Sequence, residues 1–270
     1  MSDYKHKKKF GQNFLTNQSD VLDKIIEVSD VGPEDVVVEI GPGEGALTEL
    51  LLGRAKKVYC FEIDTDLEKI LRKKYEGHAK FNLIMGDVLE ADLKTILDSH
   101  ENVKVVANIP YYITSPIINK LLECRDRIKE IYIMVQKEVA ERICSKSGKE
   151  RSVLTLAVEY FGDAQYLFTI PKEFFTPAPK VDSAFMSIKV HQSGYENVVD
   201  EKLFFKYVKA SFANKRKNIL NNLTTLGYSK DELRVFLKEL DIPEGERAEN
   251  ITIDKFVKMV ELFEKKGGKN

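Results

Sequence analysis

Short apolar runs recur along the first two thirds of the chain at Val36–Ile40, Lys57–Ile63, Phe81–Met85, Val103–Ala107 and Ile128–Val135. The first is continuous and largely β-branched, the pattern of a strand buried on both faces in a parallel sheet. Between the runs the period changes to that of helices. Thr16–Val31 places Val21, Leu22, Ile25, Ile26 and Val28 on one face and is stopped by Gly32-Pro33. Leu47, Leu50, Leu51 and Leu52 begin a second helix, and Ser115-Pro116 opens another through Leu122 with Pro in its first turn. Gln136–Ile143 and Leu154–Phe161 continue the series. Tyr166–Ile170 and Ala184–Val190 read as the arms of an antiparallel pair around a loop holding Pro171, Phe174, Phe175, Pro177 and Pro179. Strands alternating with helices and closing in such a pair predict an α/β, doubly wound sheet with a terminal antiparallel hairpin. His191–Val198 is a polar joint, after which strands cease: Leu203–Leu226, Lys230–Leu240 and Ile253–Phe263 read as helices. The expected domains are therefore 1–191, with 1–9 a mobile basic arm, and a small all-helical 192–270.

In such a sheet ligands belong at the carboxyl ends of the strands, and that is where the unusual residues fall. Val36–Ile40 runs into Gly41-Pro42-Gly43-Glu44-Gly45-Ala46 and a helix. Strand, glycine-rich turn and helix form the first unit of a nucleotide site, where glycines admit a ligand close to the backbone. Glu62 ends the next strand at roughly the 20-residue offset at which an acid meets ribose hydroxyls. That spacing serves a nicotinamide dinucleotide as well as any other adenosine cofactor. Asp87 follows the third strand and either accepts from an adenine amine or simply caps the next turn. Asn108-Ile109-Pro110-Tyr111 closes the fourth. An amide acceptor, a fixed backbone and an aromatic face suit a flat heterocycle, although Asn and Pro are also ordinary turn residues.

Composition changes the picture in only a few respects. With 270 residues and 43% hydrophobic content the chain is long enough for one large and one small domain. No apolar run approaches the roughly 18 to 20 residues of a membrane span, and the Lys-rich start lacks a signal peptide's apolar stretch, which predicts a cytoplasmic location. Cys60, Cys124 and Cys144 make neither a disulfide framework nor a metal spacing, and the histidines at 6, 78, 100 and 191 form no cluster, so no metal is expected. The net charge of −1 does not suggest a nucleic-acid binder. Its distribution does: Lys5, Lys7, Lys8 and Lys9 crowd the start, and Lys202, Lys206, Lys209, Lys215, Arg216 and Lys217 follow one another with no acid between them. Either cluster taken alone reads first as a solvated face; two of them beside an adenine-shaped site favour RNA.

Gly41-Pro42-Gly43 together with Asn108-Ile109-Pro110-Tyr111 resembles the S-adenosylmethionine-dependent RNA adenine-N6 dimethyltransferases. Phe10–Leu15, Gln136–Val139, Phe175–Ala184 and Arg247–Ile251 resemble the KsgA-type branch of that family, which modifies small-subunit ribosomal RNA. The resemblance implies a Rossmann-like methyltransferase sheet and S-adenosylmethionine as cofactor, contacted at Asn13, Leu15, Gly41, Gly43, Glu62, Asp87 and Asn108. It implies a reaction centre of Asn108, Pro110, Tyr111 and Phe175, the two aromatics sandwiching the base. RNA would be gripped by Lys7, Lys8, Lys9, Lys215, Arg216 and Lys217, with the basic residues after Leu203 on one helix. The expected substrate is a pair of adjacent adenines in the 3′-terminal hairpin loop, on a partly assembled small subunit, and the enzyme is expected to act as a monomer. Large-subunit methylases of the macrolide-resistance type, assembly or transcription factors on the same fold, and a nicotinamide dehydrogenase are the alternatives. Ile109, where the small-subunit branch more often has Leu, and Tyr112, where relatives often have a polar residue, depart from the pattern.

Overall fold

The computed structural model describes residues 14–15, 19–191, 195 and 198–265. In chain order the strands are β1 (Phe14–Leu15), β2 (Val36–Ile40), β3 (Lys57–Glu62), β4 (Phe81–Met85), β5 (Val103–Asn108), β6 (Ile128–Gln136), β7 (Gly162–Ile170), β8 (Phe175–Thr176) and β9 (Ser183–Val190). The helices are α1 (Ser19–Ser29), α2 (Ala46–Leu52), α3 (Thr65–Tyr75), α4 (Leu93–Leu97), α5 (Thr114–Leu122), α6 (Lys137–Cys144), α7 (Val153–Phe161), α8 (Glu201–Ser211), α9 (Ile219–Leu223), α10 (Lys230–Glu239) and α11 (Ile253–Lys265). The main sheet has the order β4-β3-β2-β5-β6-β9-β7. β4 through β6 are parallel, β9 runs antiparallel to β6, and β7 beside it completes the terminal hairpin.

The sequence explains the layering. β2 is buried at every position, as a central parallel strand covered on both faces must be. α1 turns Val21, Ile25 and Ile26 into a core shared with Val37, Leu51, Val58, Leu67, Val106 and Phe185. Strand order reverses at β2, which has β3 on one side and β5 on the other, so the crevice of a doubly wound sheet opens above their carboxyl ends. A further pair, β1 with β8, matches Phe14 to Thr176 and Leu15 to Phe175.

Two expectations are corrected. The described residues up to Ala140 together with those from Asp163 form one compact unit, while Glu141–Gly162 groups with the helices beyond residue 192. A single cut near 192 therefore misplaces α7. Its Tyr160 packs on Phe204 and Phe205, and the buried Arg151 pairs with Glu159 and donates to the Glu249 and Ile251 carbonyls. The continuous helix expected over Leu203–Leu226 is also broken. α8 ends at Ser211, and the chain turns through 212–218 before α9. Asn214 Oδ1 accepts from the Arg216 amide, Asn218 Oδ1 caps α9 at Asn221, and buried Asn222 donates to the Ser211 and Asn214 carbonyls. Asparagine side chains thus satisfy the backbone groups that a continuous helix would have paired.

Candidate active site

Four parallel strands lie side by side in the order β4, β3, β2, β5. Their carboxyl ends present Asp87, Glu62, Gly41 and Asn108 in that sequence. At about 4.8 Å between strands, the row spans roughly 14 Å. All four residues line one open cleft of about 930 Å³, together with Phe14, Gly43, Ile63 and the segment Ile109–Ile113. The row therefore converges as the sequence predicts.

Each member is fixed by its surroundings. Gly41 (φ 69°) and Gly43 (φ 59°) occupy left-handed backbone. A Cβ on Gly43 would fall 2.4 Å from the Phe14 ring, so only glycine lets that ring lie on the turn. The turn is tethered from α3: Lys74 Nζ donates to the Glu44 carbonyl at 2.6 Å and Tyr75 to the Gly45 carbonyl at 2.7 Å. Glu62 is buried and accepts from the Asp64 amide at 2.8 Å, with the Gly43 and Ile63 amides also bonded to it. Burial raises its pKa, and these amide donors oppose the rise. Asp87 Oδ1 accepts from the Leu89 amide at 2.9 Å, while Oδ2 has no protein partner among the described residues. It therefore both caps the turn and offers the cleft an acceptor.

The segment expected to form the reaction centre, Asn108–Tyr111, leaves β5 through a 3-10 turn, Tyr111–Ile113. The Pro110 carbonyl closes that turn by accepting from the Ile113 amide at 3.2 Å, whereas the Ile109 carbonyl accepts no backbone bond among the described residues. Of the two backbone acceptors the segment offers, Ile109 is the uncommitted one. Tyr111 is half-buried, its hydroxyl 2.5 Å from Ser183 Oγ, and burial raises the pKa of the phenol. Tyr112 is 62% exposed at the cleft.

Other expected site residues lie elsewhere. Phe175 is only 3% exposed and belongs to the core, so in this structure it does not face Tyr111 across the cleft. Leu15, its strand partner, packs on the same core and does not line the cleft either. Successive residues of a strand point to opposite faces, and in β1 it is Phe14 that reaches the cleft. Asn13, Lys7, Lys8 and Lys9 lie outside the described residues. Lys215, Arg216 and Lys217 are exposed in the turn between α8 and α9 rather than on a helix face. Among the described residues no group of three His, Cys, Asp or Glu could hold a metal ion, and no helix is long and apolar enough to cross a membrane.

One buried group escaped the sequence reading. Glu39, 2% exposed on β2, accepts from Thr48 Oγ1 at 2.6 Å and lies 3.4 Å from Cys60 Sγ, tying α2 and β3 together behind the glycine turn. Burial pushes its pKa up to about 7. A lone acid in an apolar run was the available signal, since an unpaired carboxylate does not stay in a core.

Comparison with known proteins extends this picture. A family model described as ribosomal RNA adenine dimethylase matches residues 3–265. The chain is 61% identical over 263 residues to ribosomal RNA small subunit methyltransferase A of Fusobacterium nucleatum, covering 97% of this chain and 99% of that one. Among solved structures, a dimethyladenosine transferase from Plasmodium falciparum superposes with a TM-score of 0.78 at 29% identity over 94% of this chain and 98% of that one. The 23S rRNA methyltransferase ErmE follows at TM-score 0.71 and 26% identity, over 92% and 98%.

Proposed function

The chain belongs to the ribosomal RNA adenine dimethylase family, and from that premise we propose that it uses S-adenosylmethionine to dimethylate the N6 amines of two adjacent adenines in the 3′-terminal hairpin loop of small-subunit rRNA, acting on a partly assembled subunit. The observation that carries the reading is the row of Asp87, Glu62, Gly41 and Asn108 along adjacent strand ends of one cleft. The row fits the cofactor: an open carboxylate oxygen on Asp87 suits an adenine amine, Glu62 a ribose, and the glycine turn a closely approaching chain. Asn13 is proposed as a further contact on the resemblance alone. When bound, S-adenosylmethionine supplies an electrophilic methyl group.

The protein's task is to make adenine N6 a nucleophile, because that nitrogen's lone pair is delocalised into the ring. Asn108 Oδ1 and the Ile109 carbonyl accept the two N6 hydrogens, which favours a pyramidal nitrogen with its lone pair free to attack. Pro110 holds that carbonyl in place, and Tyr111 stacks on the base, a contact worth roughly 1 to 3 kcal/mol. The barrier falls through orientation and fixed dipoles. The proton leaves only after the nitrogen has become cationic, so no side chain needs a pKa tuned to neutrality. Close identity over nearly the full chain to a small-subunit relative supports the target.

Labelled cofactor incubated with purified small and large subunits from an unmodified strain tests the proposal. Label is expected in adenines of small-subunit RNA. Label confined to large-subunit RNA would replace it with the resistance type, and tight binding of a nicotinamide dinucleotide without S-adenosylmethionine would overturn the cofactor.

A further inference from the structure

We infer that Ser183 is a positioning residue for base recognition, its buried hydroxyl holding the Tyr111 phenol so that the ring stands ready for the target adenine. The inference rests on the stacking role proposed for Tyr111. Ser183 is the first residue of β9, fully buried, and stands opposite Gln136 in the antiparallel ladder with β6. Tyr111 leaves β5, which flanks β6 on the side away from β9, in a one-turn segment. The two oxygens lie 2.5 Å apart.

At its other end Tyr111 is held through its carbonyl, which accepts from Thr114 Oγ1 at 3.2 Å. The residue is thus tied at the backbone and at the tip of the ring. A tie at the hydroxyl fixes the direction in which the ring axis points. Either hydroxyl can donate; conjugation keeps both the O–H and the accepting lone pair of a phenol near the ring plane, so the same bond also favours one orientation of the plane. A platform set in advance spares the base the cost of ordering it. Ser183 itself is steadied by its neighbour: the Asp182 carbonyl accepts from the Lys137 amide at 3.0 Å, and Asp182 Oδ1 accepts from the Lys172 amide at 3.1 Å. Phe175–Ala184 therefore bears on the reaction centre through Ser183, whereas Phe175 lies in the core.

The test compares Ser183→Ala, Tyr111→Phe and the double variant on unmodified small subunits, with cofactor affinity measured separately. Each single change is expected to lower kcat roughly tenfold, in line with the loss of one hydrogen bond, with cofactor Kd within twofold of wild type. The double variant is expected to be no more than twofold worse than either single one. Ser183→Ala within twofold of wild-type kcat, or losses that multiply in the double variant, would overturn the inference. Should Ser183→Ala fail to fold, Tyr111→Phe breaks the same bond from the other side, and full activity there is equally fatal. A crystal structure of either variant gives a readout independent of activity: the ring is expected to leave its position or spread over several rotamers, and an unmoved ring refutes the idea. Wild-type protein that transfers no methyl group to small subunits would sink the proposed function instead, leaving the crystallographic comparison to decide Ser183.

Discussion

At the scale of single residues, Asn108 carries the sharpest expectation. Asn108→Ala removes the side-chain acceptor at the end of β5 and leaves the glycine turn and Glu62 untouched. Loss of one preorganised polar partner of the reacting group costs on the order of a hundredfold in rate. The loss should therefore appear in kcat, with RNA affinity little changed; activity within tenfold of wild type would remove Asn108 from the chemistry. Glu39 makes a different prediction. Its folded pKa, about 7, lies above the 4.5 of the free group, so between those values the folded protein binds more protons than the unfolded chain. Stability then falls as pH rises from about 4.5 to 7, by up to roughly 3 kcal/mol for this group. Glu39→Gln should flatten the melting temperature over that window and raise it at pH 8, and a variant with an unchanged pH profile would show that Glu39 is not the source. These residues also mark how far the sequence could be read. Asp87, Glu62 and Asn108 stood out because polar groups at strand ends are conspicuous against apolar runs. Ser183 did not, because a serine becomes significant only through the partner that folding brings to it, and Tyr111 sits far from it in the chain.

The elements were legible where periodicity decides them and illegible where side chains compete with the backbone. β2 to β6 and the terminal hairpin follow from apolar runs, and α1 from its amphipathic face. The break after α8 did not, since Phe212, Ile219, Leu220 and Leu223 keep helical spacing across it and only the bonds of Asn214, Asn218 and Asn222 reveal the turn. β1 and β8 are two residues long and pair across most of the unit, so no local pattern announces them. That small pair nonetheless closes the glycine turn, for it sets Phe14 over Gly43. Gly43→Ala would place a methyl group against the ring on backbone that disfavours any side chain by roughly 1 to 2 kcal/mol. Cofactor affinity is expected to fall at least tenfold by calorimetry. Gly77→Ala is the matched control: it has φ 86° but no atom within 4 Å of the added Cβ. It should lower stability alone, so equal effects of the two changes on affinity would remove the close approach at Gly43 as the cause.

For the whole molecule, a net charge of −1 conceals a segregated distribution. On α8, Lys202, Lys206 and Lys209 are exposed on one stripe, and the turn that follows exposes Lys215, Arg216 and Lys217. That turn is built rather than loose. Asn222 donates to the Asn214 carbonyl at 3.1 Å, Arg247 reaches the Lys215 carbonyl at 3.0 Å, and the Ile219 amide is held by the Glu246 carbonyl at 2.8 Å. Cations on a fixed backbone suit a phosphate chain, which they would hold in register without reading bases. Replacing Lys215, Arg216 and Lys217 together with Ala removes the charges and keeps the Asn222 and Arg247 bonds, which end on backbone carbonyls. Affinity for small-subunit RNA should drop, and the slope of log K against log salt should shallow by roughly 0.7 to 0.9 for each phosphate no longer neutralised. A solvated turn that does not touch RNA predicts the same affinity and the same slope, so filter binding at several salt concentrations separates the two. Cofactor affinity measured in parallel should not move, since none of the three residues lines the cleft; if it falls with RNA binding, the triple change has damaged the fold and the weaker binding does not come from the missing charges.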